Sequence, residues 1–105
     1  MSPFDRPGVW LRCQLHAHTI NSDGDPTPQG LIDHYARAEH DVLAITDHWH
    51  ITRHESDEIL LVPASELSAR IEHGPHREAD VLAYGIEVLP EVRDHFPTIA
   101  EAASW

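Results

Sequence analysis

Val42-Leu-Ala-Ile-Thr46, followed at once by Asp47-His48, is the stretch whose reading decides the fold. A short unbroken apolar run of this kind marks a strand covered on both faces, as strands of a parallel sheet are. Just upstream, Thr27-Pro28 is a helix start, with a hydroxyl for the N-cap and a proline where the missing N–H costs nothing. Leu31, Ile32, Tyr35 and Ala38 recur at near-helical spacing, which predicts a helix from Pro28 to about Glu39. Before it, Trp10 to Leu15 is rich in strand formers and reads as a first strand. Strand, helix and strand in close succession make a βαβ unit, so the chain is expected to be α/β.

Further along, Trp49 to Glu58 is polar with no helical stripe, so a second crossover helix is expected to be reduced to a turn. Ile59-Leu-Leu-Val62, extended by Pro63 and Ala64, reads as a third strand ending in Glu66. Arg70 to Ala79, with Gly74-Pro75, reads as a turn, and Asp80-Val-Leu-Ala-Tyr84 as a fourth strand. Pro97 then starts a helix with Ile99, Ala102 and Ala103 on one face. Residues 1–9, with Pro3, Pro7 and Gly8, read as a leader, and no repeat or linker suggests a second domain.

Composition narrows the function. Among 105 residues, 18 are acidic and 7 basic, for a formal charge of −11. Such a surface argues against a nucleic-acid backbone as the main partner, because phosphate contacts need Lys and Arg. Phosphate substrates remain open, since bound divalent cations reverse the sign of a pocket locally. The ten histidines are scattered, which removes a purification tag as their explanation. The single cysteine, Cys13, forbids an internal disulfide and suits a reducing compartment; it reads as a small core residue. Without a signal-peptide pattern or a membrane span, a cytoplasmic location is expected.

The candidate chemistry lies at strand ends. His16 and His18 flank Ala17 at the end of the first strand, and alternate residues of a strand share a face. Their Cα atoms would lie about 6.5 Å apart, so both imidazoles can converge on one cation. Asp23 follows in the polar loop Thr19–Pro28, where Asn21-Ser-Asp-Gly24 would also make a turn with no metal present. Asp47 and His48 sit at the carboxyl end of the second strand, where α/β folds place their sites. Asp47 can either orient the His48 imidazole or cap a loop. Trp10, Trp49 and Tyr84 read as packing residues, and His34, His40, His50, His54, His73, His76 and His95 match no ligand position. His50, just past the second strand, is near enough to touch substrate, and Arg53, Arg70 and Arg77 are the few cations that can assist.

Four pieces, in order, resemble the PHP family, the polymerase and histidinol phosphatase superfamily of metal-dependent phosphoesterases. They are Leu15-His-Ala-His-Thr19 with Ser22-Asp-Gly24, Ala44-Ile-Thr-Asp-His48, Ala64-Ser-Glu-Leu-Ser68 and Asp80-Val-Leu-Ala-Tyr-Gly85. The resemblance implies a partial barrel of the distorted (β/α)7 type, with about four mostly parallel strands and two helices. It implies that His16 and His18 bind one metal with Glu66, that Asp23 and His48 help to hold another, and that Glu66 bridges. Asp80 stands where the family more often has histidine and is a candidate replacement ligand; Ala64 stands where it prefers glycine.

The family's later motifs, a further histidine and an Asp-x-His pair, are absent, and a complete barrel of related type needs roughly 250 residues. Residues 1–105 therefore read as the N-terminal part of a single PHP-type domain. The implied cofactors are manganese, iron or zinc, two or three per complete site, with Asp23, His48 and Glu66 nearest the chemistry. The expected reaction is hydrolysis of a phosphomonoester or phosphodiester, from a small phosphorylated substrate or nucleotide, by a metal-bound hydroxide. The alternatives are a non-catalytic metal-binding module and a metal-free scaffold fragment. Open barrel edges would favour self-association.

Overall fold

The computed structural model describes residues 2–71, 77–92 and 96–105. Among them, β1 (Cys13–Gln14), α1 (Pro28–Arg37), β2 (Val42–Ile45), β3 (Leu60–Arg70), β4 (Glu78–Tyr84) and α2 (Ile99–Ser104) form an α/β unit. The sheet runs β1-β2-β3-β4, with the first two pairings parallel and the last antiparallel. It curls into part of a barrel: the Tyr84 hydroxyl of the last strand donates to the carbonyl of Leu15, just beyond the first, at 2.7 Å.

Local chemistry sets these elements. α1 starts where expected, with the Thr27 hydroxyl accepting from the Gly30 N–H at 3.0 Å and Pro28 in the first turn. Leu31 and Ile32 face the sheet and pack with Ala17, Leu43, Ile45 and Ile59 into one core, flanked by Tyr35 and Leu61. All four residues of β2 are buried, as its unbroken apolar run requires. No helix lies between β2 and β3. The segment through Thr52–Glu55 instead covers Leu43, Ile45, Leu61 and Pro63, leaving a cavity of about 410 Å³ there.

Three expectations need correction. The first strand is only Cys13–Gln14, not Trp10–Leu15: Trp10 is 82% exposed and stacks on Phe4, another exposed ring, rather than on the core. Cys13 is exposed, not a core residue. The third strand does not end at Glu66 but continues to Arg70, because Ala64–Arg70 pairs with Glu78–Tyr84. The short connection from β3 to β4 forces that pairing to be antiparallel, since a parallel crossover needs a dozen residues or more. Alternate residues of this extension, Leu67 and Ala69, enter a second core with Phe96 and Ala102, against which Trp49, Val81 and Ala83 pack. Residues 72–76, with His73, Gly74, Pro75 and His76, and residues 93–95, with His95, lie outside the described residues.

Candidate metal centre

The site forms where β3 runs past the end of β2. Ile45 of β2 pairs with Pro63, and beyond that point an isolated bridge joins His48 to Glu66. The Glu66 N–H donates to the Asp47 carbonyl at 3.1 Å, and the Trp49 N–H to the Glu66 carbonyl at 3.1 Å. Glu66 thus lies within a continuous strand yet at the carboxyl rim of the parallel layer. Trp49 adopts φ +48, a left-handed conformation that a bulky residue rarely takes, directly after His48.

Glu66 is 3% exposed and faces three imidazoles. Its Oε1 lies 3.2 Å from His16 Nε2, and its Oε2 lies 3.1 Å from His18 Nε2 and 3.2 Å from His48 Nε2. The two Nε2 atoms of His16 and His18 are 3.1 Å apart. Asp23 closes the other side, with Oδ1 3.2 Å from His18 Nδ1 and Oδ2 3.3 Å from His48 Nε2. Two overlapping groups result, His16–His18–Glu66 and His18–Asp23–His48, each with its ligand atoms within 4.8 Å of one another.

The donor set fits a cation. Bonds of about 2.0–2.1 Å to nitrogen and oxygen place neighbouring ligands of a four- or six-coordinate ion about 3.0–3.4 Å apart, which matches the spacings here. Protons alone serve this cluster less well. Where His16 Nε2 meets His18 Nε2, neutral rings can share one proton at most, and Glu66 must be met by hydrogens from three rings. A buried carboxylate needs such compensation, and a cation in each of the two groups would supply it.

Asp47, fully buried, holds the loop that carries Asp23. Its Oδ1 accepts from the Thr19 N–H and the Ser22 hydroxyl, each at 2.7 Å. Its Oδ2 accepts from the Thr19 hydroxyl at 2.7 Å and from the Thr52 hydroxyl. Burial pushes the Asp47 carboxyl up, but the bonds from Thr19, Thr52 and Ser22 outweigh it and hold it below the ordinary carboxylate range. Asp47 therefore caps the loop, and its carboxylate does not orient His48. Gly24 completes the turn: a Cβ there would lie 2.3 Å from the His18 carbonyl oxygen, so only glycine lets the loop return this closely.

Of the residues singled out by sequence, the structure brings together His16, His18, Asp23, His48 and Glu66. Asp80 stays apart. It pairs with Ser68, two positions along the strand from the Glu66–Leu82 pair, and is exposed. His34, His50 and His54 are exposed and His40 is half-buried. Arg53 is engaged by Glu87, while Arg70 and Arg77 are exposed at the far end of the β3–β4 pair. The sequence reading missed Thr19, Ser22, Thr52 and Tyr84. Thr19 and Ser22 belong to the first of the four motifs, but their part in it, donating to the buried Asp47, is set by a residue on another strand end.

No protein-family model matches the chain, and no curated protein matches it. Among the described residues, no helix is long and apolar enough to cross a membrane.

Proposed function

We propose that this chain carries the cation site of a metal-dependent phosphoesterase of the PHP type. The substrate class is a phosphomonoester or phosphodiester of a small phosphorylated metabolite or nucleotide. The observation that carries the reading is Glu66: one buried carboxylate within 3.2 Å of three imidazoles that come from two separate segments. His16, His18 and Glu66 would hold one cation, and His18, Asp23 and His48 would hold a second. Mixed imidazole and carboxylate donors suit manganese, iron or zinc. When bound, such cations supply the activation of water and the charge neutralisation that phosphoester hydrolysis needs. The protein's part is to keep the donors converged, which the Asp47 network and the Glu66–His48 bridge accomplish. With a formal charge of −11 and Arg53 paired with Glu87, a phosphate would depend on bound cations for its charge neutralisation.

A second reading, metal binding without turnover, is favoured by the openness of the rim, where Asp23 and His16 are exposed and water is not excluded. One experiment separates them: elemental analysis of protein purified without chelator, paired with hydrolysis of bis(p-nitrophenyl) phosphate. Bound transition metal with hydrolysis abolished by EDTA supports the phosphoesterase. Metal without hydrolysis supports the second reading, and neither metal nor hydrolysis overturns both.

A further inference from the structure

We infer that Tyr84 is a positioning residue for the cation ligands: its hydroxyl ties the last strand to the peptide from which His16 springs. β1 and β4 are the two outer strands of the order β1-β2-β3-β4. In a flat sheet, three strand spacings would separate them by about 14 Å, further than a tyrosine side chain reaches. Yet the Tyr84 hydroxyl lies 2.7 Å from the Leu15 carbonyl, across 69 residues of sequence. The pairs Ala64–Tyr84 and Glu66–Leu82 are two positions apart, so Tyr84 stands on the same face of the sheet as Glu66. The hydrogen bond therefore spans the concave side that holds the ligands.

Both ends of this tie are set by backbone features. Gly85, at φ +70, ends β4 directly after Tyr84 and donates its N–H to the Pro63 carbonyl at 2.7 Å. That anchors the tyrosine to β3, the strand that carries Glu66. At the other end, the paired residues of β1 stop at Gln14, two short of His16. The His16 N–H donates locally to Gln14 Oε1 at 3.3 Å, and the next contact from another strand is at Ala17, whose carbonyl accepts from the Thr46 N–H at 2.8 Å. Between those points Tyr84 supplies the hold from a distant strand, on the carbonyl of the peptide that leads into His16. Packing alone does not explain the residue, which is 43% exposed.

The test compares Tyr84→Phe, which removes only the hydroxyl, with Tyr84→Ala, which removes the ring as well. In metal-free protein, hydrogen exchange at residues 15–18 should quicken about fivefold in Tyr84→Phe, the effect of one hydrogen bond of ordinary strength. The β2 amides, Val42–Ile45, should be unchanged, whereas a general loss of stability would quicken them too. In a calorimetric titration, Zn²⁺ should bind Tyr84→Phe roughly tenfold more weakly than the parent, as when a group supporting a metal ligand is removed. The zinc readout rests on the cation reading above; the exchange readout does not. If the parent binds no zinc, that reading fails while exchange still decides the tie. Exchange at residues 15–18 equal to the parent in Tyr84→Phe overturns the inference, even if Tyr84→Ala is loosened or unfolded, because the ring alone would then be responsible.

Discussion

β1 and β2 lie side by side and feed the same rim, but they are built differently. Every residue of β2 is buried; Leu43 and Ile45 pack with Leu31 and Ile32 of α1, and the whole strand pairs with β3. β1 has two paired residues, and Val9, Trp10 and Leu11 ahead of it are 86%, 82% and 57% exposed. His48 is therefore delivered by a strand that packing fixes, and His16 and His18 by a segment that reaches the core only through Ala17. What holds that segment is hydrogen bonding from elsewhere: Thr46 to Ala17, Asp47 to Thr19 and Ser22, Tyr84 to Leu15. The less buried strand borrows its rigidity from polar side chains of its neighbours.

Breaking the borrowed rigidity should cost most. Asp47→Ala strips the acceptor from the buried Thr19 N–H and from three hydroxyls, and should destabilise the chain by about 3 kcal/mol in urea unfolding. The same carboxylate sets a pH limb. Its folded pKa is depressed, so the stability it adds is complete above its unfolded value, about 3.9, and is lost as pH falls through the lower folded value. In metal-free protein, Asp47→Asn should flatten the loss of stability below about pH 4 relative to the parent. Gly24→Ala attacks the loop at its tightest point and should cost about 2 kcal/mol, the usual scale of overpacking. It should also weaken metal binding in calorimetry by displacing Asp23.

The packed side offers the smallest effect, with the opposite sign. Glu39 sits just past α1 at φ +62, where a side chain is strained and glycine is not. Glu39→Gly should raise stability by about 1 kcal/mol and leave metal content unchanged, as thermal unfolding and elemental analysis would read.

The same contrast explains what could be read from the chain beforehand. Thr27-Pro28 and the run Val42–Ile45 announce themselves, because capping and burial are local or continuous signals. His16, His18, Asp23, His48 and Glu66 stand out by residue type at strand ends, and the fold gathers them. β3 extends past its apolar run, where Ser65, Glu66 and Ser68 interrupt the pattern and hide Leu67 and Ala69, which alternate between them and reach the second core. Trp10 and Cys13 look like core residues by type, yet Trp10 lies ahead of the strand and both side chains are exposed. Tyr84 and Asp47 owe their roles to partners many residues away, 69 for Tyr84 and 28 between Asp47 and Thr19, and no local pattern announces such contacts.

The central claim is that ligands from separate segments share cations through Glu66. It is tested most directly by measuring bound transition metal in the parent and in Glu66→Gln, both purified without chelator. Convergence on Glu66 predicts about two equivalents of metal in the parent and a clear loss from the variant, with its fold retained by circular dichroism. Equal metal in both proteins would contradict it.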